Sequence, residues 1–284
     1  MPDCVVLDAE DGVSVAAKNE ARANGTSYFR QLRAQVSEVK GPRPFEIGFR
    51  VNAVQTDWMK KDLEAFDSLE ALPDAFMLPK VDSVDILREF SSHFKDIIVS
   101  KLKVENPIPL IIWIESARAL LDADKILAAG VKLDRHSPLR LEGVVFGSDD
   151  YCADIGATRS KSARESSFAR QWMVAVAKAH RVQAIDAVYI DFKDSDGLRA
   201  QSEEGAAMGY TGKQVIHPSQ VEIVQRAFTP HPDKIAWARG LIKAFETQSA
   251  AGTGAITYEG QMIDMPLYRQ AQNLLAIVDR VAAS

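Results

Sequence analysis

Cysteine is nearly absent from this chain: only Cys4 and Cys152 occur among its 284 residues. Neither sits in a CxxC pair or beside a histidine, which argues against a disulfide framework and against a thiolate metal centre. Both flank strand-like segments and read as reduced core thiols of an intracellular protein. A basic excess is also lacking. The net charge of −5 offers no electrostatic footprint for nucleic acid or an anionic membrane surface. No apolar run approaches the roughly 18 residues that a spanning helix needs. No Arg-rich presequence or signal peptide precedes Val5-Val6-Leu7. The expectation is therefore a cytoplasmic protein, or a sequence that begins inside a longer precursor.

What is present is a core-forming composition, 46% hydrophobic against 26% charged, arranged with a repeating pattern. Short apolar runs recur and most end in a polar or charged cluster. They are VVLDAED (Val5 to Asp11), IGFRVN (Ile47 to Asn52), FMLPK (Phe76 to Lys80) and LIIWIES (Leu110 to Ser116). GVVFGSDD (Gly143 to Asp150), AIDAVYID (Ala184 to Asp191) and GKQVIHP (Gly212 to Pro218) complete the set. The runs are apolar on both alternations, as suits strands of a parallel sheet covered by helices. Helical stretches lie between them. Ser162 to Arg181 carries Phe168, Trp172, Ala175, Val176 and Ala179 at helical spacing, which predicts one buried apolar stripe. Ser195 to Met208 is a second helix, closed by Gly209. A repeat of roughly 30 to 40 residues matches βα units. No GxGxxG follows any run, and charge closes nearly every one, so a (β/α) barrel is favoured over a doubly wound open sheet. The pattern supplies seven strands where a closed barrel has eight. Residues 1–228 form the predicted barrel domain and 229–284 a helical extension. Within that extension Ser249 to Ile256, rich in small residues, reads as a flexible connector before GQMIDMP (Gly260 to Pro266) and a last helix.

Barrels of this kind place chemistry at strand C-termini. Glu115 ends one strand and Asp150 follows the next. Neighbouring strands lie about 4.8 Å apart, so the two carboxylates can share one hard cation, and magnesium needs only one or two of them. The alternative is plainer: Glu115 caps the following helix and Asp150 turns a loop. Arg50 can grip a substrate carboxylate through two parallel hydrogen bonds, pair with Glu10 or Asp11, or do both. Lys80 reads as a barrel-top ion pair rather than a Schiff-base lysine. His217, between Ile216 and Pro218, reads as a hydrogen-bonded structural residue before a base. Asp264 stands among Met262, Ile263 and Met265, an apolar setting expected to raise its pKa toward that of a usable base.

Taken together, VVLDAEDGV, FRVN, FMLPKV, IIWIES, VVFGSDD, EGAAMGYTGKQVIHP and GQMIDMP resemble the citrate lyase β-subunit-like proteins of the HpcH/HpaI aldolase superfamily. The animal citramalyl-CoA lyase branch is the most similar, and the resemblance runs from about Pro2 to the final helix. It implies a (β/α)8 barrel of the TIM type, with Mg2+ held by Glu115 and Asp150. It counts Arg50, Ile216 and His217 with those two among the substrate-binding residues. It implies that Asp264 is the catalytic base, delivered to a neighbouring subunit of a homotrimer. The implied reaction cleaves citramalyl-CoA to pyruvate and acetyl-CoA, with malate- or β-methylmalate-synthase condensation alongside, in mitochondria. The implied partners are an acyl-CoA thioester and a small keto acid.

One part of the family pattern has no counterpart here. A first strand ending in a YVPG-like motif, with a lysine-bearing loop and helix that contact CoA, is not matched, since Pro2 aligns just ahead of the second strand. The expected barrel therefore lacks its first βα unit. Two other readings follow: a pyruvate aldolase acting on free aldehydes, and a truncated, non-catalytic homologue that serves as an oligomer subunit.

Overall fold

The computed structural model describes residues 1–37, 45–67, 72–100, 102, 104, 106–135, 137–249 and 255–283. They fall into two compact units, Met1–Val224 and Gln225–Ser284.

The first unit is built on seven parallel strands in sequential order: β1 (Cys4–Asp8), β2 (Glu46–Arg50), β3 (Ala75–Leu78), β4 (Ile108–Ile114), β5 (Leu139–Phe146), β6 (Gln183–Asp186) and β7 (Gly212–Lys213). Helices α1 (Lys18–Ser37), α2 (Trp58–Asp67), α3 (Val84–Phe94), α4 (Ala117–Gly130), α5 (Ser148–Asp154), α6 (Ser167–Ala179) and α7 (Ser195–Met208) connect them. Helix α8 (Pro218–Phe228) follows β7. Strands β2 to β5 are largely buried, as suits apolar runs covered by helices, whereas the edge strand β1 is only partly buried and exposes Val6. A file of aromatic rings joins the sheet to α1, α2 and α3. Phe66 meets Phe29, Phe49 and Phe76 edge to face, and Phe76 meets Phe94 the same way. Such contacts add to the burial of large apolar area.

Among the described residues β1 pairs only with β2 and β7 only with β6, so the curled sheet is open, with those two strands as its edges. Two of the predicted strands are shorter than their apolar runs. β6 stops at Asp186 and β7 at Lys213, leaving Ala187 to Asp191 and Gln214 to His217 as loops.

The predicted stripe on α6 is a correction. Phe168 is 71% exposed and Trp172 41%, stacked on each other at 6.4 Å, while the buried face carries Ala169, Arg170, Met173, Val174, Val176 and Ala177. Spacing alone favoured the aromatics because it cannot count Arg170 as a core residue. Arg170 is 1% exposed and is held there by two bonds to the buried Asp186 carboxylate and one to Glu204. A paired, hydrogen-bonded guanidinium can occupy the interior where an unpaired one cannot. Lys213 completes this network, donating to Asp186 and Gln201; burial draws its pKa down to about 8 although Asp186 opposes that.

The second unit contains α9 (Pro232–Ser249), a hairpin of β8 (Ile256–Tyr258) and β9 (Gln261–Ile263), and α10 (Met265–Ala283). It has its own core of Ala238, Leu241, Phe245, Ile256, Ile263 and Ala271. Gly240 lets the Tyr258 ring lie directly against α9, a place where a β-carbon would collide with the phenol. This revises the expected connector. Ser249 is helical, Ile256 begins a strand and residues 250–254 lie outside those described. The hairpin that carries the tail motif packs on α9, so the stretch does not free that motif from the helix before it.

Candidate active site at the strand C-termini

Four parallel registers bring the C-terminal ends of β1 to β5 together. Asp8 stands beside Arg50, Arg50 beside Met77, Leu78 beside Ile112, and Ile114 beside Phe146. The residues just past these ends are Glu10, Asp11, Lys80, Glu115 and, in the first turn of α5, Asp150.

Arg50 is clamped by the strand before it. Its Nε and Nη2 donate to the two Asp8 carboxyl oxygens at 2.6 and 2.7 Å, and Nη1 lies 3.2 Å from Glu10 Oε2. The Trp113 ring lies under the guanidinium, 5.6 Å to its centre. This is the planar, two-pronged geometry that arginine supplies and lysine does not. Burial pushes the Asp8 carboxyl up, but the Arg50 hydrogen bonds and charge outweigh it, so Asp8 titrates below the ordinary carboxylate range. Glu10 was foreseen as a partner of Arg50. Asp8, the bidentate one, was not, although its place at the end of VVLD was a visible signal. Beneath them the buried Lys18 ammonium donates to the Ala9 and Glu10 carbonyls, both at 2.8 Å, and fixes the turn.

Lys80 links the two halves of the group. Its ammonium lies 3.3 Å from Glu10 Oε1, 2.9 Å from Asp11 Oδ2 and 3.0 Å from Asp150 Oδ2. The barrel-top ion pair expected of it is thus present, with three partners. Its main-chain N–H donates to Glu115 Oε1 at 2.6 Å, from a left-handed conformation with φ 54°. Lysine rarely adopts that conformation, and non-glycine residues held there cluster at functional sites.

Glu115 is 8% exposed. Its pKa is pushed up to about 7, first by burial and then by the Asp150 charge, against the Lys80 hydrogen bond. The helix-cap reading of Glu115 does not hold: Ser116 Oγ caps α4 by accepting from Ala119 N–H, and Ser116 is itself tied to Asp82. Gly147 faces the Glu115 side chain so closely that any β-carbon there would overlap it. Asp150 belongs to a helix turn rather than a loop.

Five carboxylates, Asp8, Glu10, Asp11, Glu115 and Asp150, thus surround two cationic side chains that pair with them, Arg50 and Lys80. The excess of negative charge is what a divalent cation would balance. Among the described residues no three His, Cys, Asp or Glu side chains converge as a closed metal cage. Magnesium does not require one: two carboxylates with waters and substrate oxygens suffice. The donor set of Glu115 and Asp150 fits such an ion.

Ile216 and His217 make contacts of another kind. The main-chain N–H groups of both donate to Gln220 Oε1, whose amide donates to the Tyr189 carbonyl. His217 Nδ1 lies 2.8 Å from Ser219 Oγ, and its ring stacks on Phe192 at 4.6 Å. Asp264 caps α10: its Oδ1 accepts from Leu267 N–H at 3.2 Å, and its carbonyl accepts from Tyr268 N–H.

A family model for HpcH/HpaI aldolase/citrate lyase matches residues 1–218. The chain is 44% identical to the mitochondrial citramalyl-CoA lyase of Rattus norvegicus, over 98% of this chain and 80% of that one. It is 32% identical to a (3S)-malyl-CoA thioesterase of Cereibacter sphaeroides, over 99% of this chain and 88% of the relative. Among solved structures it is similar to CitE of Mycobacterium tuberculosis in complex with magnesium, acetoacetate and coenzyme A, with a TM-score of 0.71 and 30% identity over 97% of this chain and 89% of that one. The chain belongs to the HpcH/HpaI aldolase/citrate lyase family.

Proposed function

We propose that this protein is a Mg2+-dependent carbon–carbon lyase that cleaves citramalyl-CoA to pyruvate and acetyl-CoA, with condensation of acetyl-CoA and a keto acid as its reverse. The observation that carries this reading is the Lys80–Glu115–Asp150 group: two carboxylates next to a clamped arginine at the strand C-termini. The 44% identity to citramalyl-CoA lyases supports the choice of substrate, and the magnesium in the CitE structure supports the choice of ion.

Glu115 and Asp150 would hold the ion, which would supply Lewis-acid stabilisation of the tertiary alkoxide that becomes the keto oxygen of pyruvate. Arg50, oriented by Asp8 and Trp113, pairs with the carboxylate of the keto acid portion. Asp264 is the proton carrier at the thioester α-carbon. In cleavage the tertiary hydroxyl gives up its proton to solvent as the bond breaks, and Asp264 returns one to the α-carbon of the departing enolate; in condensation Asp264 takes a proton from the acetyl methyl and the new alkoxide takes one from solvent. Its Oδ1 is engaged in capping α10, which orients the carboxyl and leaves Oδ2 for the proton. We place this aspartate in the site of a neighbouring subunit of a homotrimer, and Ile216 and His217 at the substrate's edge. Mitochondrial residence follows the mammalian relatives. The open sheet edges at β1 and β7 would be closed into an eight-stranded barrel by one further βα unit, which would also bring CoA contacts.

The test is direct. Purified protein incubated with citramalyl-CoA should release pyruvate and acetyl-CoA in equal amounts, lose activity to EDTA and regain it with Mg2+. Free CoA without pyruvate would mean thioester hydrolysis. Turnover of pyruvate with simple aldehydes but not with acetyl-CoA would mean an aldolase. No turnover at all would favour a non-catalytic subunit.

A further inference from the structure

One residue touches both proposed ion ligands, and by different parts. The main chain of Lys80 holds Glu115, while its side chain holds Asp150. The main-chain contact survives any substitution that keeps the N–H; the side-chain contact depends on the charge.

The ammonium has three N–H donors and no acceptor. All three carboxylates that it faces, Glu10, Asp11 and Asp150, lie within 3.3 Å. It therefore does for Asp150 what a metal ion would do, and the two cations cannot share the same oxygen without strong repulsion. The group is also free to rearrange. The Lys80 side chain is 35% exposed and that of Asp150 43%, and Glu10 and Asp11 remain as partners if the Asp150 contact is given up.

We propose that the Lys80 ammonium is the resident counter-cation of this carboxylate group and must leave Asp150 for a divalent cation to bind. Lys80 thereby sets the affinity of the ion by competition, and holds the acidic group together when no ion is bound. This rests on the assignment of Glu115 and Asp150 as ion ligands.

The experiment is a calorimetric titration of the full chain with MgCl2, comparing wild type with Lys80→Met and Lys80→Arg. Lys80→Asn is run beside them, because asparagine suits the left-handed backbone at this position and should fold even if Lys80→Met does not. The two uncharged variants should bind Mg2+ about tenfold more tightly or better, since the competing charge is gone. Lys80→Arg, which keeps the charge, should remain near wild type. Wild-type binding with equal or weaker binding by both uncharged variants would overturn the competition and leave the ion site standing. Absence of binding in wild type and in every variant would overturn both the ion site and the competition. Binding by the uncharged variants alone would support the competition in its strongest form.

Discussion

The main-chain N–H of Lys80 donates to Glu115 Oε1 at 2.6 Å from a residue whose φ is 54°. A buried carboxylate is thereby held by backbone, and it has no cationic partner of its own comparable to the Arg50 clamp on Asp8. Burial and the Asp150 charge raise its pKa to about 7 from an ordinary 4.5. The folded state therefore binds this proton more tightly than the unfolded chain does. The stabilisation is complete below about pH 4.5 and is lost as pH rises through about 7. Glu115→Gln keeps the acceptor and cannot ionise. Its melting temperature, measured against wild type without metal, should gain on wild type by several degrees between those pH values. A pH-independent difference would show that Glu115 does not titrate there. Saturating Mg2+ should flatten the wild-type decline.

Gly147→Ala tests the packing behind the same carboxylate. The new β-carbon would overlap both the β-carbon and the carboxyl of Glu115, so the strand end that carries Glu115 must shift and its carboxyl with it. Overpacking of this kind costs about 1–3 kcal/mol, which a large domain tolerates. The expected result is a folded protein, by circular dichroism, with Mg2+ affinity reduced about tenfold or more. Unchanged affinity would mean that Glu115 is not an ion ligand.

Arg50→Lys separates charge from geometry. A lysine keeps the positive charge but loses the two-pronged contact with Asp8 and the stacking on Trp113. In the condensation assay the KM for pyruvate should rise about 10-fold to 100-fold, equivalent to about 1.4–2.7 kcal/mol of carboxylate recognition. A KM within twofold of wild type would remove Arg50 from substrate binding.

Helix α6 offers a contrast within one element. Arg170→Met strands the buried Asp186 carboxylate with Lys213 alone, and breaking a buried pair costs about 3–5 kcal/mol. Phe168→Ser, about half a turn away on the exposed face, should cost less than about 1 kcal/mol. Urea denaturation of the two variants checks the order. A larger loss for Phe168→Ser would mean that its face is covered in solution, as by a subunit contact.

Mixed oligomers test the shared site. Asp264→Asn and Glu115→Gln should each lower activity by about 100-fold or more, as loss of a general acid–base group or an ion ligand does. Unfolded together and refolded as mixed oligomers, they should regain part of it, because one interface then combines an intact Asp264 with an intact Glu115. Mixed oligomers that form and stay inactive would place both residues in the same chain's site.

Much of this fold was legible before any coordinate. LIIWIES and GVVFGSDD read as strands buried on both faces, and they are β4 and β5 with Glu115 and Asp150 just beyond them. Apolar run length overstated β6 and β7, because Ala187 to Tyr189 and Val215 are apolar for reasons other than strand pairing. The stripe on α6 misled for a related reason: hydrophobic spacing weighs side chains singly, and Arg170 enters the core only as one of a set.

Amino-acid order settles what is local. It determines which segments extend, because β-branched and apolar runs suit a covered sheet, and which charged residues stand at the strand ends, because they follow those runs directly. Partnership is not local. Asp8 and Arg50 are 42 positions apart, and Lys80 and Asp150 are 70 apart. Nothing in the order of residues says that Arg50 takes Asp8 with two prongs while Lys80 takes Asp11 and Asp150. The parallel register decides that, by setting four strand ends at one level and leaving each charge only the neighbours within its reach.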